Sequence, residues 1–241
     1  MLINHRMKIA VILPTLNEKN NLKKIIPRIA EIEEVNFIVI VDDNSTDGST
    51  EYFKSIVSAK VHIIRRPLRL GIGSAHLEGM KFAQQLGAQL IFTMDADGTH
   101  RIEDLQKMIN HSSDYDILVG SRYLKGSAIT GWGLTRNLMT RLGHVATMIF
   151  FGSVLDMSSG MRAYRASKIP FDRLNANCPP DYSFFFVSLL VFRNASLNIV
   201  QLPITLDSRG DGKSKMNPLL MLRGVITLLK YGMRFRSLNL K

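Results

Sequence analysis

The chain has 241 residues, 46% of them hydrophobic, so it is long enough for one domain of α/β size and too apolar to be disordered. A single cysteine, Cys178, excludes an internal disulfide framework, and no uncharged apolar run reaches the roughly 18 residues that a spanning helix needs. The net charge is +11, and from Arg209 onward eight Lys and Arg residues stand against one acid, Asp211. This asymmetry favours an anionic partner: nucleic acid, a phosphorylated substrate or anionic lipid.

Short apolar runs alternate with amphipathic stretches through the first half of the chain. Runs rich in Val and Ile predict strands at 8–13, 36–41, 61–64, 90–94 and 117–119. The stretches between them predict helices at 20–32, 49–57, 74–86 and 102–109. This alternation predicts an α/β fold with a mostly parallel sheet and helices on both faces. In the less regular second half, strands are predicted at 161–164 and 198–202, apolar stretches occupy 138–155 and 181–192, and a final helix is predicted at 218–235.

Polar loops follow the predicted strands, at the ends where parallel sheets bind their ligands. If the run 90–94 is a strand, Asp95 and Asp97, two residues apart at its end, project from the same side. Two adjacent carboxylates repel each other unless a cation lies between them, so the pair predicts Mg²⁺ or Mn²⁺ holding a diphosphate. The alternative is an aspartate-rich turn that caps the next helix, and the pair alone does not separate the two interpretations.

The first three of these loops have the features of a nucleotide pocket. Glu18 and Asp42 offer carboxylates to ribose hydroxyls or base N–H groups, and Gly71 and Gly73 allow the backbone to approach a ligand closely. Alternatively, Asn17 is a helix cap and the two glycines form a plain turn. The chain has neither Gly-x-Gly-x-x-Gly after its first strand nor a Gly-x-x-x-x-Gly-Lys-Ser/Thr loop, which disfavours a Rossmann dehydrogenase and a P-loop enzyme.

Seven short motifs follow one another along the chain. They are Pro14-Thr15-x-Asn17-Glu18, Asp42-Asp43-Asn44-Ser45-x-Asp47-Gly48, Gly71-Ile72-Gly73-Ser74-Ala75, Asp95-Ala96-Asp97, Gly120-Ser121-Arg122-Tyr123, Ser159-Gly160-Met161-Arg162-Ala163-Tyr164, and Arg209 with Gly212-Lys213-Ser214-Lys215. Each is ordinary by itself, but the ordered series resembles the GT-A glycosyltransferases of family two. Within that family it is similar to the dolichol-phosphate mannosyltransferase-like branch, which uses polyprenyl phosphates. The resemblance covers roughly residues 8–235.

The resemblance implies a GT-A, Rossmann-like catalytic domain at 1–215 and a basic amphipathic helix on a membrane surface at 216–241. It implies a nucleotide-sugar site formed by Pro14, Thr15, Asn17, Glu18, Asp42, Asp43, Gly71, Gly73, Asp95, Ala96 and Asp97. The implied ligands of Mg²⁺ or Mn²⁺ are Asp95, Asp97 and Thr99. The acceptor phosphate is expected to contact Arg122, Arg136, Arg141, Arg209 and Lys215. The implied catalytic residues are Asp95, Asp97, Arg122 and Arg209.

The implied reaction is metal-dependent, inverting transfer of a sugar, with GDP-mannose favoured as donor, to a polyprenyl (dolichyl) phosphate. An ionised phosphate acceptor needs positioning and charge neutralisation rather than a strong general base. Phe185 and Val187 stand where the family often carries Gln and Glu, and Leu16 replaces a common aromatic residue. The resemblance therefore does not determine which sugar is transferred. The alternative within the family is a saccharide or cell-envelope acceptor with a UDP-sugar donor. An aromatic content of only 8% disfavours a nucleic-acid-binding protein.

Two apolar stretches flanked by basic residues, 145–155 and 218–235, have the character of interfacial helices. Core helices of a globular domain are the alternative that composition leaves open. Because a polyprenyl acceptor lies in a bilayer, we expect a peripheral protein at the cytoplasmic face of a membrane.

Overall fold

The computed structural model describes residues 7–111, 114–209, 226 and 230–231. The strands of this part of the chain are β1 (Ile9–Thr15), β2 (Val35–Asp42), β3 (Val61–Arg65), β4 (Leu90–Thr93), β5 (Ile117–Ser121), β6 (Ala128–Ile129), β7 (Arg162–Arg165), β8 (Ile199–Pro203) and β9 (Thr205–Leu206). The helices are α1 (Lys19–Ala30), α2 (Ser49–Ile56), α3 (Ile72–Gln85), α4 (Ile102–Ile109), α5 (Leu134–Phe151), α6 (Phe171–Asn177) and α7 (Phe184–Asn194). The elements predicted in the first half are therefore all present, with bounds that differ by a few residues.

Seven strands form one sheet in the order β3-β2-β1-β4-β7-β5-β8. Strand β1 pairs in parallel with β2 and β4, and β5 pairs in parallel with β8. Strand β7 is inserted antiparallel between β4 and β5. The short strands β6 and β9 form a separate parallel pair. The predicted mostly parallel sheet is confirmed.

Helices cover both faces of the large sheet. Successive side chains of β1 point to opposite faces, so they pack against different sets of helices. Ala10 and Ile12 belong to an apolar cluster with buried residues of α3, α6 and α7. Val11 and Leu13 belong to a second cluster with buried residues of α1, α2 and α4. All seven residues of β1 are buried, as expected for a central parallel strand that is covered on two sides. The predicted α/β class is confirmed.

The strand order reverses beside β1, and this reversal positions the site. After β1 the chain adds β2 and β3 on one side, and β4 then pairs with β1 on the other side. Such a switch point leaves a crevice beyond the carboxyl ends of two neighbouring strands, where ligands of parallel sheets bind. Pro14 and Thr15 at the end of β1 and Asp95 after β4 line the same cavity there.

The second half of the fold differs more from the sequence prediction. Helix α5 begins at Leu134, before the predicted apolar stretch, and α7 begins only at Phe184. The residues before α7 form a turn in which the Asp181 carboxylate accepts a hydrogen bond from the Ser183 amide at 2.8 Å. Helix α6 and the strands β6 and β9 were not predicted, because elements of two to seven residues are too short for a hydrophobic period to register.

Several predictions near the carboxyl terminus lie outside the described residues. They are the 212–215 motif with Lys215, the final helix at 218–235 and most of the unit 216–241, and they stay predictions. Close to them, the Tyr231 hydroxyl donates a hydrogen bond to the Asn177 carbonyl at 2.8 Å, so the chain contacts the end of α6 there. Over the ranges that the structure describes, every helix is too short or too polar to cross a bilayer.

His76 of α3 is fully buried in the core behind the crevice. Its ring centroid lies 5.8 Å from that of Phe184 and 5.1 Å from that of Phe185, and in the described ranges neither ring nitrogen has a hydrogen-bond partner. Burial lowers the pKa of His76 to about 3, and the charges of Arg162 and His100 act in the same direction. The folded protein therefore holds this imidazole neutral.

We expect His76 to make the fold sensitive to mild acid. The unfolded chain takes up a proton near a pKa of 6.5 and the folded chain only near 3, so stability is complete above pH 6.5 and is lost as the pH falls towards 3. A His76→Phe variant should lose this dependence. Relative to wild type, its free energy of unfolding should therefore be about 2 kcal/mol more favourable to the folded state at about pH 5 than at about pH 7.5. Urea unfolding at both pH values measures it, because any packing cost of the larger ring is common to the two. His62→Phe, a half-buried ring, is the control; equal shifts in both variants would contradict the prediction.

Candidate active site

A cavity of about 330 Å³ opens at the switch point. Its lining includes nine residues that the sequence assigns to the site: Pro14, Thr15, Glu18, Asp43, Gly71, Asp95, Ala96, Asp97 and Arg209. Three loops that are distant in sequence, after β1, β2 and β4, are therefore brought together as expected. Leu16, Arg69 and Tyr182 also line the cavity.

The two aspartates Asp95 and Asp97 are brought together by a turn and not by a strand. Strand β4 ends at Thr93, and the chain turns through Asp97 to Gly98, which has a left-handed φ of 78°. The expectation that strand alternation aligns the carboxylates is therefore wrong, because the strand ends before either of them. Both side chains nevertheless line the same cavity, and the charge of Asp97 acts on Asp95.

Asp97 is an ionised carboxylate that is held at both oxygens. Oδ1 accepts hydrogen bonds from the Thr99 amide at 3.0 Å and the Thr99 hydroxyl at 2.7 Å. Oδ2 lies 2.6 Å from Nη2 of Arg209. Burial by itself raises the pKa of Asp97, but the Thr99 hydrogen bonds and the Arg209 charge hold it below its usual value.

Asp95 has the opposite environment. Among the residues described, none supplies a hydrogen bond to its buried Oδ1. Burial raises the pKa of Asp95, with a further contribution from the charge of Asp97, against the opposing charges of Arg209 and Arg122. Gly160 lies close beside Asp95: a Cβ there would lie 2.9 Å from Asp95 Oδ1, so a larger residue would displace the carboxylate. A buried carboxylate oxygen without a partner is energetically costly, and a bound cation would supply the missing partner.

The donor set fits Mg²⁺ or Mn²⁺, since these hard cations prefer carboxylate oxygens and keep several ligands from substrate or water. Asp95 and Asp97 are the two carboxylates that would hold the ion. Within the described residues no group of three or more His, Cys, Asp or Glu side chains is arranged for a metal. Thr99, the predicted third ligand, donates its hydroxyl hydrogen to Asp97 and is not among the cavity-lining residues.

His100 is a site residue that the sequence interpretation missed. Its buried Nδ1 accepts a hydrogen bond from the Asp95 amide at 2.9 Å, which fixes the first residue of the turn. The available signal in the sequence was that His100 lies five residues after Asp95, close enough for its side chain to reach the first residue of the same turn.

The predicted nucleotide residues divide into cavity-lining and supporting groups. Asp43 lines the cavity and also accepts hydrogen bonds from the amides of Leu70 and Gly71 at 2.8 and 2.9 Å, so it shapes the glycine loop. Asp42 is fully buried, accepts a hydrogen bond from the Ser45 amide at 3.1 Å and is not among the lining residues. The motif therefore contributes one carboxylate to the cavity and one to the loop behind it.

Asn17 and Gly73 support the walls of the cavity. Asn17 has a left-handed φ of 53°, and its side chain accepts a hydrogen bond from the Thr46 amide at 2.7 Å, which ties the first two loops together. The Gly73 amide donates to the Pro180 carbonyl at 2.7 Å, and a Cβ at Gly73 would lie 2.5 Å from the Cβ of Phe184. Gly73 is therefore required for packing against the segment before α7.

The predicted arginines have three different environments. The Arg122 guanidinium is nearly buried and makes two hydrogen bonds to Asp156, from Nε at 2.8 Å and from Nη2 at 2.6 Å. Arg136 stacks on Trp132, and the charges of Arg209 and Asp97 act on it. Arg141 is exposed on α5. Arg209 thus lines the cavity and its charge acts on Arg136, whereas Arg122 is tied to an aspartate that the sequence did not single out.

A family model described as Glycosyl transferase family 2 matches residues 10–170. An undecaprenyl-phosphate mannosyltransferase from Micrococcus luteus is 29% identical over 95% of this chain and 96% of its own length. A polyprenol monophosphomannose synthase from Mycolicibacterium smegmatis is 28% identical over 94% of this chain and 87% of its own. A dolichol-phosphate mannosyltransferase from Pyrococcus furiosus is 30% identical over 93% of this chain and 64% of its own.

Solved structures show the same fold. Glucosyl-3-phosphoglycerate synthase from Mycobacterium tuberculosis in complex with phosphoglyceric acid superposes with a TM-score of 0.67 over 93% of this chain and 79% of that one, at 18% identity. The same synthase in complex with Mn²⁺, UDP-glucose and phosphoglyceric acid also gives a TM-score of 0.67, over 94% of this chain and 80% of that one, at 18% identity. The sheet, its switch point and the family match agree, and the chain belongs to glycosyltransferase family 2 with a GT-A fold.

Proposed function

We propose that the protein transfers a sugar from a nucleotide-sugar donor, with GDP-mannose favoured, to a polyprenyl phosphate at the cytoplasmic surface of a membrane, with Mg²⁺ or Mn²⁺ bound. The pairing of Asp95 and Asp97 beside Arg209 in one cavity carries this proposal. The names of the relatives from M. luteus, M. smegmatis and P. furiosus support a mannosyl donor and a polyprenyl phosphate acceptor.

Charge stabilisation of the leaving diphosphate is the first task of the site. Asp95 and Asp97 are the residues for the metal, which supplies a positive charge that stabilises the departing nucleotide when it is bound. Arg209 adds a second positive charge, and it now lies 2.6 Å from Asp97 and 3.9 Å from Glu18. A bound diphosphate would offer Arg209 a negative partner, and its metal would offer Asp95 and Asp97 a positive one. Donor binding would therefore replace the present pairing of Arg209 with Asp97.

The acceptor explains why the cavity needs no histidine base. A phosphate monoester carries negative charge near neutral pH, so it attacks the sugar carbon without losing a proton to the protein. Among the residues described, no histidine lines the cavity, and Asp97 is already engaged at both oxygens. Direct displacement at the sugar carbon gives inversion of configuration.

The outer face of α5 suits a membrane surface. This helix exposes an apolar series that continues just beyond its end: Leu134, Leu138, Met139, Leu142, Val145, Ile149 and Val154. Arg136 and Arg141 are exposed on the same helix, where their charges can reach anionic head groups. A monomeric soluble protein rarely leaves such a continuous apolar series facing water.

We expect this face to bind vesicles. Wild-type protein should float with vesicles of phosphatidylglycerol and phosphatidylcholine, and a Leu138→Glu/Leu142→Glu variant should lose most of this binding, because two carboxylates replace buried apolar contact and repel the anionic surface. Val57→Glu, an equally exposed apolar position at the end of α2, is the matched control. Equal flotation of the double variant and the wild type would show that α5 is not the contact.

The proposed activity is tested by supplying farnesyl phosphate, Mn²⁺ and radiolabelled GDP-mannose and measuring label in the organic phase. Transfer from GDP-mannose supports the proposal in full. Transfer only from a UDP-sugar corrects the donor, and label only in a water-soluble saccharide supports the alternative acceptor. No transfer from any nucleotide sugar to the lipid phosphate would overturn the proposed function.

A further inference from the structure

Trp132, the only tryptophan of the chain, forms a platform under Arg136 beside the cavity. The Cζ of Arg136 lies 3.7 Å from the centroid of the indole ring. At this distance the planar guanidinium stacks on the ring face, an arrangement that combines cation–π attraction with dispersion. Trp132 lies in the connection between β6 and α5, and Arg136 lies in the first turn of α5.

Hydrogen bonds hold Trp132 both at its indole and at its backbone carbonyl. Its Nε1 donates a hydrogen bond to the Asp207 carbonyl at 3.3 Å, and the Trp132 carbonyl accepts one from Nδ2 of Asn137 at 3.2 Å. The Asp207 amide donates to the Thr99 carbonyl at 2.9 Å. One short path of hydrogen bonds therefore connects the indole with the turn that carries Asp97.

Stacking leaves the N–H groups in the plane of the Arg136 guanidinium available. Within the described part of the chain, no hydrogen bond or ion pair engages the Arg136 guanidinium, which stacks on the indole ring. The indole beneath Arg136 is hydrogen-bonded to Asp207, two residues before the cavity-lining Arg209, and the charges of Arg209 and Asp97 both act on Arg136. Two neighbouring guanidinium groups repel each other, and an anion between them removes that cost.

We propose that Trp132 is a positioning residue: it holds Arg136 flat so that the guanidinium edge, together with Arg209, receives the phosphate monoester of the acceptor. This inference rests on the proposed function for the identity of the phosphate. Lysine in place of Arg136 would keep the charge but lose both the planar stack and the fork of donors. The role of Trp132 is therefore to fix an orientation and not to contribute charge.

Steady-state kinetics with farnesyl phosphate test the positioning role. Trp132→Leu is expected to raise KM for farnesyl phosphate about 3- to 30-fold with little change in KM for the nucleotide sugar, while Trp132→Phe, which keeps a ring, should lie between it and wild type. In an Arg136→Gln background Trp132→Leu should add no further effect, because no guanidinium is left to position. Arg136→Lys should resemble Arg136→Gln more than wild type. Arg173→Gln, an exposed arginine on α6, controls for loss of one positive charge.

Fluorescence gives a second readout that does not depend on turnover. Since Trp132 is the sole tryptophan, the emission of wild-type protein reports on this platform directly. Farnesyl phosphate should change the emission saturably, farnesol should not, and the response should be lost in Arg136→Gln. Inorganic phosphate distinguishes recognition of the head group alone from recognition that needs the lipid tail.

The outcomes separate this inference from the proposed function. If wild type transfers sugar to farnesyl phosphate but Trp132→Leu leaves the acceptor KM unchanged, the positioning role is wrong. An equal effect of Trp132→Leu with and without Arg136 also overturns it, because the indole then acts on the lipid directly. If Trp132→Leu does not fold, the Phe and Lys variants decide: wild-type KM in Arg136→Lys overturns the inference. An absence of transfer in wild type fails the proposed function, whereas the fluorescence response still tests the platform.

Discussion

An Asp97→Asn variant is expected to transfer sugar at least about 100-fold more slowly than wild type, which corresponds to a loss of about 3 kcal/mol of transition-state stabilisation. Asp97 is ionised in the cavity and pairs with Arg209 at 2.6 Å. The amide keeps the shape and the Thr99 hydrogen-bond acceptor but removes the charge that would hold the metal and orient Arg209. Initial rates with saturating donor and acceptor measure the effect on kcat.

Direct binding of Mn²⁺ accompanies this measurement, because a rate alone does not separate metal loss from other defects. Electron paramagnetic resonance should show weaker Mn²⁺ binding by Asp97→Asn with the nucleoside diphosphate present. Asp114→Asn is the control, since its carboxylate is 93% exposed and pairs with Arg165 on the surface. Retention of wild-type kcat and Mn²⁺ binding by Asp97→Asn would exclude Asp97 as a metal ligand.

Local sequence signals predicted the rim of this site well. Short apolar strands, each followed by a polar loop, placed the β1, β2 and β4 loops at one edge of a parallel sheet, and nine of the assigned residues line one cavity. The error concerned geometry within one loop. Asp95 and Asp97 meet through the turn that ends at Gly98, because β4 stops at Thr93. Spacing by two residues is shared by strands and turns, so sequence does not distinguish them.

Contacts between distant segments were the part that sequence did not reveal. Asp156 lies 34 positions after Arg122, and nothing in the pattern around either residue indicates their pairing. Trp132 and Arg136 are close in sequence, but the indole is also hydrogen-bonded to Asp207, the residue that follows β9. Such partners are selected by the folded backbone, not by local composition.

The apolar residues Phe185 and Val187 acquire a physical context in the structure. Both are buried in α7 and neither is among the cavity-lining residues. Close by, the fully buried Arg162 donates to the carbonyls of Phe185 and Met157 at 2.7 and 3.1 Å, and no carboxylate contacts it within the described residues. In this structure both positions therefore belong to the packed core and not to the wall of the cavity.

Removing the carboxylate of Asp156 is expected to destabilise the fold by about 3–5 kcal/mol, because Asp156→Ala leaves the Arg122 guanidinium buried without a counter-charge. Asp156 is fully buried, and its two oxygens accept hydrogen bonds from Arg122 at 2.6 and 2.8 Å. Burial by itself raises the pKa of Asp156, but the charge and hydrogen bonds of Arg122 hold it below its usual value. Urea unfolding measures the loss. Asp114→Ala, which breaks an exposed pair with Arg165, should cost no more than about 1 kcal/mol.

A double variant decides whether Arg122 has a second role in catalysis. Arg122→Met/Asp156→Leu replaces the buried ion pair with apolar side chains of similar size, so most of the stability lost in Asp156→Ala should return. A stable double variant with wild-type kcat would assign Arg122 to the fold alone. A stable double variant with strongly reduced kcat would support the catalytic assignment, since the charge of Arg122 also reaches Asp95. Equal stability of Asp156→Ala and wild type would contradict the buried pair itself.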